Sequence, residues 1–416
     1  MKAEIVAVGT ELLLGQIVNT NARFLARQLA EIGVDSYFQT VVGDNLDRIV
    51  QALTIAAQRA DLVICTGGLG PTRDDLTKDA IAAWTGRRLI YDEPALSRIE
   101  RFFRERGVPM AESNARQALI PEGCDPLPND NGLAVGAALE HGGVRYIVLP
   151  GPPKELEPMF VRYARPWILA QMPQHTPLHS VVLKFAGIGE SALEQKLIDL
   201  IDGQSEVTLA PYAGDGEVAV RVSVKASDQE QAMRKMSGTL ADIRRRLGEH
   251  LYAEEDIPLE EAVVRQLKAR GLLLSAAESC TGGLFAERIT SVPGSSAVFA
   301  GAMIAYTNEF KIRHLGVPER LLSGDGAPGA ISEQTARAMA ERARELTGSH
   351  FALSFTGAAG PDPSEGKGPG LVYIGLASDR FPTETYRLQW NGDRQSVRLR
   401  AVRHGLYVLW RKIGRE

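Results

Sequence analysis

Residues 277–283 read Ala277-Glu278-Ser279-Cys280-Thr281-Gly282-Gly283. The apolar run Gly271-Leu272-Leu273-Leu274-Ser275-Ala276 precedes them and is short enough for a buried strand. Leu284, Phe285, Ile289 and Val292 follow at helical spacing. The heptad therefore reads as a strand-to-helix turn that sets Ser279 and Thr281 beside a helix N-terminus. Unpaired N–H groups and a positive dipole end suit such a place to an anion or an oxyanion. The same residues also suit a plain helix cap with two glycines allowing a tight turn.

Working outward, two more strand patterns end in polar or Gly-rich loops. Ala297–Ala305 empties into Tyr306-Thr307-Asn308-Glu309-Phe310-Lys311, and Phe351–Phe355 into Thr356-Gly357-Ala358-Ala359-Gly360-Pro361. Residues 361–370 are rich in Pro and Gly and read as a mobile lid. A helix over Arg394–Ile413 carries Arg394 and Arg398 one turn apart. The chemistry this suggests is amide hydrolysis. A serine hydroxyl attacks only after a base takes its proton, and a desolvated lysine or a tyrosine relay can do so. Ser279, Tyr306 and Lys311 are the catalytic candidates. Main-chain amides at Gly282, Gly283, Gly357 and Gly360, with Thr281 and Thr356, are candidates for holding an oxyanion or a phosphate. Cys280 is a rival nucleophile, but with no histidine nearby in sequence it reads better as a buried structural thiol.

Residues 1–170 alternate strand and helix patterns. Ile5–Val8, Thr20–Ile32, Asp35–Val42, Leu46–Arg59 and Asp61–Cys65 follow one another, which predicts a largely parallel sheet covered by helices. Ligands of such sheets sit beyond the carboxyl ends of the strands. Glu11, Asp44 and the run Thr66-Gly67-Gly68-Leu69-Gly70-Pro71-Thr72-Arg73-Asp74-Asp75 fall there, as does Lys154 after Tyr146–Leu149. Carboxylates from several strand ends can share a divalent cation that bridges to a diphosphate, making Glu11, Asp44, Asp74 and Asp75 metal candidates. No Walker pattern is present, and Gly67-Gly68-Leu69-Gly70 is a weak signal by itself.

Residues 171–253 give a small α+β pattern, with Val218, Val220, Val222 and Val224 alternating as in a half-buried strand. Arg234, Lys235 and Arg244-Arg245-Arg246 read as the solvated face of an amphipathic helix. A charged linker, Glu254-Glu255-Asp256-Ile257-Pro258, opens the last segment, residues 254–416.

A chain of 416 residues is too long for one ordinary core. With 44% hydrophobic and 24% charged residues and a net charge of −4, nothing global argues for nucleic acid. No apolar run is long enough to cross a membrane, and no leader pattern precedes the first strand, so a cytoplasmic location is expected. Cys65, Cys124 and Cys280 are odd in number and far apart, which speaks against a disulfide frame or structural zinc.

Taken together, VGTELLLGQIVNTN, TGGLGPTRDDLT and LPGPPKEL resemble the MogA/MoaB-type molybdopterin-binding fold, in the variant that opens proteins of the competence- and damage-inducible CinA family. The resemblance implies a metal-dependent ADP-ribose pyrophosphatase, with Asp44 and Asp75 in the acidic positions and Gly67, Gly68, Gly70 and Thr72 as the phosphate loop. It implies Mg2+ or a transition metal there, with a monovalent cation as a further candidate. The middle segment resembles a KH-type fold, but Gly187-Ile188-Gly189-Glu190 stands where a nucleic-acid-clamping KH module has GxxG. AESCTGG, AYTNEFKIRHLGV, GAISE and GAAGP resemble the CinA C-terminal domain, also known as a stand-alone nicotinamide mononucleotide (NMN) amidohydrolase. That implies deamidation to nicotinate mononucleotide without a cofactor, the 5′-phosphate lying on the Arg394–Arg398 face. The expectation is an α/β chain of three domains, active on NMN and ADP-ribose as a homodimer, away from membranes and nucleic acid. The rival is a competence or DNA-repair accessory protein with a non-catalytic pterin-binding-like first domain.

Overall fold

Ile5, Val6, Ile64, Cys65, Ile147 and Val148 have no solvent exposure, as expected of strands covered on both faces. In the computed structural model, which describes residues 1–172, 176–214 and 217–414, they lie at the centre of a six-stranded sheet. Its order is Asp35–Val42, Lys2–Val8, Leu62–Thr66, Val144–Leu149, Gly136–His141, Asp125–Leu127. The first four strands are parallel, and the last two run antiparallel. That edge departs from the largely parallel expectation. Its cause is the Gly142-Gly143 turn, both residues at positive φ (59° and 79°), which joins strands as a hairpin and needs no crossover helix. Thr20–Glu31 buries Ala22, Leu25 and Leu29, and Leu46–Ala57 buries Ile49, Ala52, Leu53 and Ala56, both at helical spacing.

The chain forms two compact units, residues 1–179 with 224–235, and residues 180–223 with 236–416. A four-stranded sheet is ordered Val207–Gly214, Glu217–Lys225, Leu178–Phe185, Leu251–Ala253, with the helices Glu190–Asp202 and Gln229–Leu247. The strand Glu217–Lys225 is buried more fully than its alternation suggests. Ala219 and Ser223 are covered as well, and on that second face Arg221 and Lys225 are exposed and Glu217 is half-buried. Of the basic residues on Gln229–Leu247, Arg244 pairs with Glu254 at 2.6 Å and Arg245 with Asp242 at 2.6 Å. Arg246 Nη2 donates to Asp199 at 2.8 Å.

A five-stranded sheet follows, in the order Phe299–Ile304, Leu274–Glu278, Phe351–Gly357, Leu371–Ser378, Glu384–Gln389, the first three parallel and the others antiparallel. One face packs Leu274, Ala276, Phe351 and Leu353 against the helices Leu259–Arg270 and Arg394–Gly414. The other packs Ala277 and Ala352 against Met339, Ala340 and Ala343 of Glu333–Thr347. Gly405 lies where a Cβ would stand 2.7 Å from the Phe355 ring, so the C-terminal helix presses directly on the sheet. Among the described residues no helix is long and apolar enough to cross a membrane. Cys65, Cys124 and Cys280 are free thiols.

Candidate active sites

The strand Leu274–Glu278 ends in a carboxylate that is fully buried. Glu278 accepts from the amides of Gly283 (2.9 Å), Phe285 (3.2 Å) and Ala286 (2.9 Å), the first turn of Leu284–Thr290. A carboxylate of the chain itself thus takes the helix N-terminus expected to hold an anion. The Gly282 amide is taken by Ser279 O at 3.1 Å. Gly282 and Gly283 are therefore no oxyanion donors, and their positive φ values, 57° and 92°, account for them as turn residues. Thr281 also leaves the site: it is fully buried, its hydroxyl is unpartnered, and its carbonyl accepts from Arg398 Nε (3.2 Å) and Nη2 (2.6 Å). Arg398 is accordingly a clamp on the turn, not a lining residue. Among the described residues, the amides of Cys280 and Thr281, just after the serine, meet no protein acceptor.

Ser279 is held by its own amide on Phe355 O at 2.8 Å. Lys311, 1% exposed, donates to Ser279 Oγ at 3.0 Å and to the Tyr306 carbonyl at 3.1 Å. Burial pulls the lysine's pKa down, and the Glu365 carboxylate opposes that only in part. A lysine so placed gives up its proton more readily than a solvated one. Tyr306 enters differently from expectation. It is 57% exposed, and its hydroxyl accepts from Arg394 Nη2 at 3.0 Å, so only its carbonyl meets the lysine. Arg394 Nη1 donates to Gly360 O at 3.0 Å. Cys280 lines the same cavity, but burial pushes its thiol up to about 12, away from the thiolate.

Ser279, Tyr306, Lys311, Thr356, Gly357, Gly360 and Arg394 all face one cavity of about 530 Å³. Thr356 turns its hydroxyl to Ala330 O at 2.6 Å, so it shapes the wall. The stretch 361–370 is tied down rather than left loose. Glu365 accepts from the amides of Ala330 and Ile331, each at 3.0 Å, and Lys367 Nζ donates to Pro328 O (3.0 Å) and Ile331 O (2.5 Å). Sequence reasoning missed Glu278 on the helix amides and the cavity-lining residues Glu365 and Asn308. Glu278 was inside the quoted heptad, and a carboxylate six residues before a helix start is its only signal.

In the other unit, Glu11, Asp44, Asp74, Asp75, Gly67, Gly68 and Gly70 line a cleft of about 710 Å³ at the strand ends. Asp44 Oδ2 accepts from Thr10 N and Oγ1, each at 2.8 Å. Asp75 Oδ2 accepts from Thr72 N (2.9 Å) and Oγ1 (2.5 Å). Thr72 therefore orients Asp75 and does not line the cleft, and neither does Lys154, whose carbonyl accepts from Asn131 Nδ2 at 2.9 Å. Gly67 sits at φ 100° with Val8 O only 2.1 Å from where a Cβ would stand, so close strand approach demands it. Gly70 leaves room for the Asp75 carboxylate, 2.5 Å from its own missing Cβ. Asn21 was overlooked as a wall residue. Its Nδ2 donates to Thr66 Oγ1 (3.1 Å) and Gly151 O (2.7 Å), while its Oδ1 is buried and unpartnered.

Among the described residues no three of His, Cys, Asp or Glu gather closely enough to cage an ion. The four carboxylates share one cleft, which is the donor set of a cation held by one or two carboxylates and completed by substrate phosphates.

Behind the cleft, Lys78 is 4% exposed, donates to Gln117 O at 2.9 Å, and is pushed down to about 7 by burial. Above that pH the folded chain has lost a proton the unfolded chain still holds. Stability should therefore climb by up to about 1.4 kcal/mol per pH unit between pH 7 and the ordinary lysine range. Urea unfolding of the wild type and Lys78→Met across that range should differ by this slope. Parallel curves for the two proteins would show that Lys78 is charged in the fold.

The sequence matches the family profile described as "CinA C-terminal domain" over residues 256–413. It matches "Probable molybdopterin binding domain" over 4–170 and "Damage-inducible protein CinA KH domain" over 180–253. A competence-damage inducible protein of Geobacillus kaustophilus (strain HTA426) is 48% identical over 409 residues, 98% of each chain. One of Bacillus cereus (strain ATCC 10987 / NRS 248) is 47% identical over 413 residues, 99% of each. A solved structure of the protein CinA from Thermoplasma acidophilum is 37% identical, covers 40% of this chain and 96% of its own, and has a TM-score of 0.37.

Proposed function

The chain belongs to the competence- and damage-inducible CinA family, and from that premise we propose that it is a two-site hydrolase of pyridine-nucleotide salvage. The site containing Ser279 deamidates NMN to nicotinate mononucleotide and ammonia. The cleft containing Asp44 and Asp75 splits ADP-ribose into AMP and ribose 5-phosphate. The partners in this reading are those two nucleotides and a second copy of the chain, in the cytoplasm.

The observation that carries the deamidase is the buried Lys311 Nζ at 3.0 Å from Ser279 Oγ. In its neutral form the amine takes the Ser279 proton as Oγ attacks the carboxamide carbon. Cys280 lines the cavity and its amide meets no protein acceptor among the described residues, so in this reading that amide receives the developing oxyanion. The lysine returns its proton to the departing nitrogen, ammonia leaves, and an ester on Ser279 remains. Water attacks that ester with Lys311 again as base, releasing the carboxylate. Glu278 and Arg398 fix the turn on which the serine sits, and Arg394 at the cavity mouth suits the 5′-phosphate.

In the first cleft a divalent cation would be held by Asp44 and Asp75, with Asp74 and Glu11 within the same walls. Bound there, it would neutralise diphosphate charge. The chain's own part is to aim those carboxylates through Thr10 and Thr72 and to line the cleft with glycine backbone.

Incubating the purified protein with NMN and measuring ammonia and nicotinate mononucleotide tests the reading. The pH profile adds a sign. Lys311 works as the neutral amine, so kcat/KM should rise with pH and level off below the ordinary lysine range, because burial lowers its pKa. A profile flat across that limb would remove Lys311 as the base.

A further inference from the structure

A second cavity in the same unit, about 440 Å³, is lined by Trp390, Arg400, Arg403, His404 and Tyr407 on one side and Ala186, Gly187 and Ile188 on the other. It is separate from the deamidase cavity, with which it has no lining residue in common. Its volume is within the range of small-molecule sites.

Three features define its chemistry. The first is an aromatic box. The His404 ring stands edge-on to Trp390 (centroids 6.3 Å apart), Tyr407 (6.2 Å) and Tyr386 (5.8 Å). Burial holds His404 below its ordinary pKa, so the box carries a neutral imidazole at neutral pH. The second is a floor of backbone. Gly187, at φ 72°, lies so near Tyr407 that a Cβ would stand 2.1 Å from its ring, so only glycine brings this loop onto the aromatic face. The third is a cationic wall. Arg400 and Arg403 line the cavity beside Glu217, which is engaged by Lys184 at 3.5 Å and the Tyr252 hydroxyl at 2.7 Å, and the Asp393 carboxylate lies within electrostatic reach of Arg400. Arg400 commits Nη1 to Asn391 O at 2.9 Å, which fixes the guanidinium at the cavity wall.

Flat apolar rings beside a fixed guanidinium match a flat heterocycle that carries a phosphate. We infer that this cavity is a second nucleotide site, taking a nucleoside monophosphate with its base against the Trp390 and His404 rings and its phosphate on Arg400. This holds whether or not NMN is the substrate of the Ser279 site, because the test reads binding and not turnover.

The probe is AMP, titrated by calorimetry into the full chain. Because AMP is also a product proposed for the first cleft, the decisive quantity is the difference between variants. Arg400 is an exposed residue outside the catalytic groups, so Arg400→Glu should fold and keep NMN deamidation. It should bind one AMP fewer per chain than the wild type, or bind that equivalent at least ~10-fold more weakly, since a charge-assisted contact becomes a repulsive one. Arg394→Ala, at the other cavity, should keep that equivalent. Identical titrations for wild type and Arg400→Glu, or no AMP bound by the wild type, would overturn the assignment. So would an equivalent lost in Arg394→Ala and kept in Arg400→Glu.

Discussion

Ser279→Ala and Lys311→Ala should each lower kcat for NMN deamidation by at least ~1,000-fold, and the double variant should be little worse than either. The two groups act as one unit: without the lysine the hydroxyl keeps its proton, and without the hydroxyl the base has nothing to activate. KM should move far less, because the phosphate contact assigned to Arg394 is elsewhere in the cavity. Cys280→Ala should keep most activity, since its thiol is pushed up to about 12 by burial and holds its proton at working pH. Chelator should leave the reaction unchanged. Deamidation that survives Ser279→Ala but dies with Cys280→Ala would move the nucleophile by one residue.

Asp44→Asn and Asp75→Asn should each lower ADP-ribose hydrolysis by at least ~100-fold and leave NMN deamidation intact. Both carboxylates line the same cleft, and each is aimed by a threonine, Asp44 by Thr10 and Asp75 by Thr72. Thr72→Val should therefore weaken the same activity by a smaller factor, because it frees Asp75 without removing its charge. EDTA should abolish the activity and added Mg2+ or a transition metal should restore it. Full ADP-ribose hydrolysis in EDTA would rule out the cation, and full activity in both Asp variants would place the chemistry elsewhere.

Much of this was legible in the sequence, for a local reason. Strand ends and helix starts are written in short windows, so the turn at Ser279 and the Asp44 and Asp75 loops appear where periodicity puts them. Lys311 stands in the segment that follows a strand, and folding buries it beside the serine. What failed was the fate of backbone donors. Gly282 and Gly283 looked like anion binders, yet Glu278 and the Ser279 carbonyl had already taken their amides. The partner of an amide is a tertiary fact, and no window of sequence shows it. Arg398 failed likewise: one turn from Arg394, it turns to Thr281 O while Arg394 stays at the cavity. The strands Gly136–His141 and Glu384–Gln389 were missed as well, the first even though Gly142-Gly143 marks its hairpin.

Acid-quenched NMN turnover analysed by peptide mass spectrometry looks for the covalent intermediate on Ser279 that this chemistry requires. The Ser279–Lys311 geometry predicts a nicotinyl-nucleotide ester on the peptide containing Ser279, absent in Ser279→Ala, with ammonia released before nicotinate mononucleotide. Simultaneous release of both products with no adduct at any time, or an adduct on Cys280, would contradict it.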